Sequence, residues 1–249
     1  EEKLVGEEFS LMSFCDGEHC VHMPVVQDHK RAFEGDVGPN TGGMGTYSFA
    51  NHSLPFLSDK DLSDAQKTNE KVAKELYNVT GTKFKGFLYG GFMATKSGIK
   101  VIEYNARLGD PEAINVLSLL KTDFFDICSH IVEGSLKNIN IEFELCATVC
   151  KYAVPNGYPD NPEKGFIVSG DNMEASNFFF AAVQKDGNRI VATGSRTVAC
   201  VGIDKEISEA EQKAEAGISQ VVGNLFHRKD IGTTALIQKR IENMKRLRQ

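Results

Sequence analysis

Two pairs of alternating runs, each folded over a tight turn, commit the first hundred residues to antiparallel sheet. Residues 8–15 and 20–26 alternate around Asp16-Gly17, a strong hairpin signal. Residues 85–95 and 99–105 do the same across Lys96-Ser97-Gly98. Between them, Ser58 and Asp61 resemble a capping box. Leu62, Ala65, Val72, Ala73 and Leu76 then recur at helical spacing up to Gly81. Asp110 can cap a helix with Pro111 at its first position, running to about Leu120, and a further helix from Thr122 to Val132 stops at Gly134. The segment 135–144 is a plausible boundary. Strands are expected beyond it at 145–154, 178–184 and 189–203, then a helix opened by Ser208 and Glu211 and a last one from about Thr233. The pattern predicts an α+β chain with a larger unit over 1–140 and a small α+β unit over 141–249.

A net charge of −6 argues against a nucleic-acid partner, since such binding rests on neutralising phosphates. The one basic cluster, Lys239, Arg240, Lys245, Arg246 and Arg248, reads as the solvated face of a terminal helix. No apolar run approaches the ~20 residues needed to span a bilayer, so a cytoplasmic protein without a membrane partner is expected. Cys128, Cys146, Cys150 and Cys200 sit among apolar residues and read as small buried hydrophobes. Cys15 and Cys20, with His19 and His22, have the residue types of a zinc site, but no second ligand pair follows at zinc-site spacing. The first residue is Glu, and a strand follows almost at once, so the chain is expected to begin inside a larger protein.

The chemistry concentrates in VIEYNARLGDPE, residues 101–112. Glu103 and Asn105 stand at i and i+2 of a strand, on one face and roughly 6–7 Å apart. Their oxygens can converge on a hard cation held partly by phosphates, as magnesium usually is. Arg107 lies on the same side if the strand continues, where it could stabilise a transferring phosphoryl group. Gly109-Asp110-Pro111-Glu112 then turns into a helix whose N-terminus favours anions. Taken alone, these residues equally describe a solvated strand end beside a turn.

Three other segments keep them company. GPNTGGMG, residues 38–45, has the glycine content to bring backbone amides close to a ligand, yet matches neither the Walker loop nor the dinucleotide pattern. QDHKR, residues 27–31, packs a carboxylate, an imidazole and two cations together, a set costly to bury unless paired or met by a charged ligand. Lys30 or Arg31 could meet phosphate, and Asp28 could orient an amine or a cation. EEKLVGEEFS, at the start, offers Glu8 to ribose hydroxyls and the backbone near Lys3 and Leu4 to adenine.

Together EEKLVGEEFS, QDHKR, GPNTGGMG, FKGFLYGGFM and EYNARLGDPE resemble, in order, the motifs of the glycinamide ribonucleotide synthetase family, the phosphoribosylamine–glycine ligases of purine synthesis. The similarity continues through NGYP (156–159), GSRTV (194–198) and RKDIG (228–232). It implies the second half of an ATP-grasp domain, an antiparallel sheet with helices, followed by a small α+β C-terminal domain. It also implies an ATP-dependent ligase that phosphorylates the glycine carboxylate and passes the acyl group to the amine of 5-phosphoribosylamine. Carried over by position, Glu103 and Asn105 become ligands of Mg2+ or Mn2+, and Arg107 supports the charged intermediate. Glu8 takes the ribose, and Glu1 and Leu4 fall at the adenine hinge. Asp28, Lys30, Asp110 and the loop Thr41, Gly42, Gly43, Met44 and Gly45 fall where the family receives its substrates.

Three departures accompany the likeness. Lys3 replaces the common aromatic at the hinge, FFFAA (178–182) replaces a FHAGT-like run, and Ser195 interrupts paired glycines. The family's N-terminal domain and the first half of its ATP-grasp domain, with the lysines that hold ATP from above, would precede Glu1. The family suggests a monomer. The alternatives are another ATP-grasp carboxylate–amine ligase, which would lack QDHKR with GPNTGGMG, or a truncated, non-catalytic fragment.

Overall fold

A computed structural model describes residues 2–175 and 177–249. Its first sheet is built on β1 (Gly6–Asp16) and β7 (Lys85–Thr95), antiparallel along their whole length from Gly6↔Thr95 to Asp16↔Lys85. β2 (Cys20–His22) adds to one edge and β8 (Gly98–Asn105) to the other, giving the order β2-β1-β7-β8. Both expected hairpins are therefore present, although the strand expected to reach residue 26 stops at His22.

Successive side chains of β1 point to opposite faces. Phe9 and Leu11 join Phe92 and Ala94 in the main core, where Phe9 and Phe92 stack as direct register partners at 5.4 Å. Met12 and Phe14 enter a second core with Tyr89, Val116, Ile127 and Ile131. Helix α1 (Asp59–Thr80) covers part of the first face. Its capping box is formed as expected, with Ser58 and Asp61 bonded reciprocally, and Gly81 closes it in the left-handed conformation.

The unpatterned stretch 27–56 proves to contain four short strands: β3 (Gln27–Asp28), β4 (Arg31–Phe33), β5 (Val37–Asn40) and β6 (Gly45–Ser48). β4 and β5 form a ribbon of their own. β3 and β6 instead enter a second sheet of order β11-β14-β9-β6-β3, whose other members are β9 (Ala147–Pro155), β11 (Phe178–Phe180) and β14 (Val198–Asp204). β15 (Leu225–Phe226) pairs β9 as well. This sheet and the main core run across residues 140 and 141, with Met44 and Tyr47 packed among Val149, Tyr152 and Val201. The units 1–140 and 141–249 stand as a proposal about sequence modules that share one sheet.

Four local expectations need correction. Asp110 is not a cap: helix α2 spans only Glu112–Leu117, Pro111 occupies the cap position, and the Asp110 carboxylate is engaged elsewhere. Helix α3 (Phe124–Glu133) is capped by Asp123, whose carboxylate accepts from the Phe125 and Asp126 amides. The Ser208–Glu211 box does not form. Helix α4 (Ile207–Ile218) starts one residue before Ser208, with Glu206 at the cap position and no side-chain cap, and Glu211 instead pairs with the buried Lys151 ammonium, 2.5 Å away. The runs 178–184 and 189–203 are each broken in two, yielding β11 with β12 (Val183–Asp186) and β13 (Arg189–Ala192) with β14. β12 and β13 pair with each other, and β10 (Ile167–Val168) completes that small sheet. The last helix, α5 (Thr234–Arg248), is capped by Thr233 as expected. It is less solvated than its charge suggested: Arg240 reaches Asp36, and Arg248 holds Asp61 through two bonds of 2.8 Å. Among the described residues no helix is long and apolar enough to cross a membrane.

Candidate functional site

The face of the first sheet that carries Glu8 and Ser10 on β1 also carries Gly91 on β7 and Glu103 on β8, all in register. Glu103 and Asn105 project from the same face of β8, and the Asn105 amide Nδ2 donates to Glu103 Oε1 at 3.3 Å. Among the described residues the Asn105 amide oxygen and the second Glu103 oxygen accept no hydrogen bond. Room for Glu103 comes from Gly91 opposite it, where a side-chain carbon would stand 3.3 Å from Glu103 Cγ. A small cleft between the sheet and the β3 segment is lined by Glu8, Ser10, Asp28, Lys30, Tyr89 and Glu103.

QDHKR divides between core and cleft by strand alternation. Gln27 and His29 point inward: Gln27 accepts from the Tyr47 hydroxyl and donates to the Glu8 carbonyl, while the His29 ring meets the Gly45 carbonyl at 3.1 Å. Asp28 and Lys30 face the cleft. Lys30 Nζ lies 3.5 Å from Glu8 Oε2. Burial pulls the Lys30 pKa down, but the carboxylates of Glu8, Asp28 and Glu103 more than offset it and hold the ammonium firmly charged. Asp28 Oδ1 accepts from the His29 amide at 2.7 Å. Desolvation, with the Glu112 carboxylate adding to it, nevertheless pushes the Asp28 carboxyl well above its ordinary range, against the pull of the His29 amide, Lys30 and Arg196. The cleft thus holds a fixed cation beside a carboxyl that accepts a proton easily.

The glycine-rich loop closes over the other side of this segment. Both the amide and the hydroxyl of Thr41 donate to the Lys30 carbonyl, at 2.7 and 2.9 Å. Gly43 has φ +110°, and a side-chain carbon there would lie 2.7 Å from both Asp28 Oδ1 and Pro111 Cδ. Only glycine lets the loop lie this close to the two motifs. The Gly42 amide donates to the Tyr158 hydroxyl at 3.2 Å. Met44 is different: its side chain is fully buried in the main core, so only its backbone borders the loop. Gly45 opens β6 opposite Lys151.

Arg196 is the residue that sequence reasoning missed. Its guanidinium donates to the carbonyls of Gly42 (2.6 Å) and Asp110 (2.7 Å) and to Asp110 Oδ2 (2.9 Å), and it lies over the Tyr152 ring, 4.9 Å from the centroid. Tyr152 in turn donates to Asp110 Oδ1 at 2.9 Å. The break between β13 and β14, which holds Gly194 at φ +98°, is what brings Arg196 there. The available signal was GSRTV itself, which matched the family without suggesting a contact 86 residues away. Glu112 was also passed over. It is buried and accepts from the Tyr89 and Ser10 hydroxyls at 2.8 and 3.3 Å, tying the turn after β8 to the sheet. Beneath it, Asn115 is bonded to Thr46 and Thr148, so α2 is fastened to β6 and β9.

The structure brings Glu8, Asp28, Lys30 and Glu103 together, with Asn105 at the edge and Thr41–Gly43 behind Lys30. Arg107 lies past the end of β8, exposed, its guanidinium on the Leu108 carbonyl at 3.0 Å. Among the described residues it pairs with no carboxylate. Leu4 is half-buried in the segment before β1. Glu1 lies outside the described residues.

Comparisons with known proteins agree on one family. The model of the phosphoribosylglycinamide synthetase ATP-grasp (A) domain matches residues 1–113, and that of the same family's C domain matches residues 148–234. A phosphoribosylamine–glycine ligase from Methanosarcina barkeri is 51% identical over 248 residues, covering 100% of this chain and 57% of the relative. One from Methanocorpusculum labreanum is 52% identical, with the same coverage. The chain therefore spans just over half the length of the curated relatives it matches. Among solved structures, the phosphoribosylamine–glycine ligase of Thermotoga maritima superposes with a TM-score of 0.81 at 31% identity, over 92% of this chain and 56% of that one. A biotin carboxylase from Campylobacter jejuni shares the fold at 14% identity, with a TM-score of 0.65 over 98% of this chain and 51% of that one.

Proposed function

The chain belongs to the phosphoribosylglycinamide synthetase family, and from that premise we propose that it supplies the metal- and phosphate-binding wall of a phosphoribosylamine–glycine ligase. In this reading ATP transfers its γ-phosphoryl group to the glycine carboxylate. The amine of 5-phosphoribosylamine then attacks the carbonyl carbon of the glycyl phosphate, the C–N bond forms and phosphate leaves. Glycinamide ribonucleotide, ADP and phosphate are the products.

The observation that carries the reading is the single cleft holding Glu8, Asp28, Lys30 and Glu103, with Asn105 beside Glu103. Phosphoryl transfer asks a protein mainly for positioning and charge stabilisation. Lys30, charged and held by Glu8, is placed to neutralise a phosphate or acyl phosphate oxygen. Glu8 is the acceptor for ribose hydroxyls. Asp28, with its raised pKa, can take the proton that the attacking amine must lose. Asp110, held by Arg196 and Tyr152, and the Thr41–Gly43 backbone form the side facing the acceptor substrate. The donor set fits a magnesium or manganese ion shared with phosphates: one carboxylate and one amide oxygen, both hard, at the mouth of the cleft. When bound, the ion would be held by Glu103 and Asn105 and would offset the negative charge of the reacting phosphates. Arg107, exposed just past the end of β8, is assigned the support of charge on the transferring phosphoryl group.

The test is glycine-dependent ADP release, with phosphoribosylamine supplied, by the full natural protein that contains this chain. Release driven equally by other amino acids overturns the assignment, as does a folded enzyme that releases none.

A further inference from the structure

At the far end of β1 from Glu8, Cys15 and Cys20 are direct register partners across the β1–β2 hairpin, with their sulfurs 3.3 Å apart. The Asp16 amide donates to the His19 carbonyl and the Met23 amide to the Met12 carbonyl, so Asp16/His19 and Met12/Met23 are hydrogen-bonded pairs. Cys15/Cys20 falls between them, at a non-hydrogen-bonded position, where cross-strand side chains approach most closely. The two sulfurs differ in access. Cys15 is fully buried, whereas Cys20 is half-buried and lines a cleft of about 670 Å³ between the hairpin and α1, walled by His19, Glu70, Lys74, Tyr77 and Lys83.

The neighbouring imidazoles are committed elsewhere. His19 meets Asp16 at 3.2 Å, and His22 meets Ser13 at 2.8 Å and Glu70 at 3.4 Å. Among the described residues no three His, Cys, Asp or Glu side chains are grouped to hold a metal. The arrangement is that of a dithiol.

We propose that Cys15 and Cys20 are a reversible disulfide site, oxidised by exchange with a small-molecule disulfide admitted through the cleft beside α1. Cys20, the accessible sulfur, attacks as the thiolate. A bond forms between Cys20 Sγ and one sulfur of the small disulfide, whose own S–S bond breaks and releases the first small thiol. Cys15 then loses its proton and attacks Cys20 Sγ. The mixed S–S bond breaks, the second small thiol leaves, and the Cys15–Cys20 bond remains. Two protein thiols are oxidised and one small disulfide is reduced to two thiols. The sulfurs must close by roughly 1.3 Å to reach bonding distance, within the reach of side-chain rotation at a directly opposed pair. The division of labour agrees with the electrostatics: the contact between the two sulfurs favours the thiolate at Cys20, while that contact and burial disfavour it at Cys15. The bond closes only a four-residue turn, so its effect is chemical, the removal of a nucleophile from the cleft, more than a gain in stability. The proposal is independent of the ligase reading.

The test incubates the folded chain with oxidised glutathione, blocks the remaining thiols, and maps the peptides by mass spectrometry. The expected result is a Cys15–Cys20 link, two fewer titratable thiols, and full recovery with dithiothreitol, while half-buried Cys128 and Cys146 form no such link. Cys15→Ala should trap glutathione on Cys20, and Cys20→Ser should leave Cys15 unmodified. A stable glutathione adduct on Cys20 of the unaltered chain overturns the proposal. So does an unaltered chain that reacts at Cys128 or Cys146 but at neither member of the pair, a result that needs no variant to fold.

Discussion

Arg196 Nη2 stands 2.9 Å from Asp110 Oδ2, and the same guanidinium holds the Gly42 and Asp110 carbonyls, so one side chain joins the loop, the turn after β8 and the entry to β14. A double-mutant cycle of Arg196→Ala and Asp110→Ala should return a coupling of about 0.5–3 kcal/mol in chemical denaturation. Additive losses would mean that the pair is incidental. Arg196→Lys should recover little, because a single ammonium cannot serve a carboxylate and two carbonyls in one plane.

Gly43→Ala should destabilise the chain by about 1–3 kcal/mol. The new carbon meets Asp28 and Pro111 at 2.7 Å in a backbone conformation that side chains rarely adopt. Thermal unfolding beside Gly42→Ala checks it. The Gly42 change should be milder, since its φ is ordinary and its nearest neighbour is the movable Arg196 side chain at 3.1 Å.

Asp28→Asn should raise stability in a pH-dependent way. The unfolded carboxyl ionises near about 3.9, while the folded one ionises well above it. Between those two values the unfolded chain gives up its proton more readily, so the wild type loses stability as pH rises. The variant should match it below the ordinary carboxylate value and exceed it at neutral pH. Urea midpoints across that range decide the matter, and a constant difference would contradict the raised pKa.

Glu103→Gln should leave folding within about 0.5 kcal/mol of wild type, because the side chain is exposed. It should nonetheless weaken Mn2+ binding by at least about tenfold, a loss seen even for outer-shell partners of metals. Titration of the two proteins with Mn2+, in the presence of ATP, provides the comparison. Unchanged affinity would remove Glu103 from the metal site.

Elements set by local rules were legible in the sequence. The α1 capping box, the Gly81 and Gly134 stops and the Asp16-Gly17 hairpin depend on neighbours a few residues apart, as does the shared face of Glu103 and Asn105. What escaped notice was long-range competition for polar groups. Asp110 has the chemistry of a cap, but Tyr152 and Arg196 claim its carboxylate. Glu211 completes a capping motif on paper, but it pairs instead with a fully buried Lys151. β3 and β6 were too short to show a period, because two to four residues cannot display one. The cleft itself was anticipated through QDHKR and EYNAR. Which of their residues face inward became plain only when β3 was seen to pair with β6.

That pairing, continued from β6 to β9, bears on how the protein can be handled. Cutting between residues 140 and 141 would leave two pieces, each with a raw strand edge and half of a shared apolar interior. Such edges recruit other chains. The pieces should therefore be poorly soluble apart and recover only when mixed. The two family segments, residues 1–113 and 148–234, share one sheet in this chain, and cooperative unfolding should pass straight through the stretch between them.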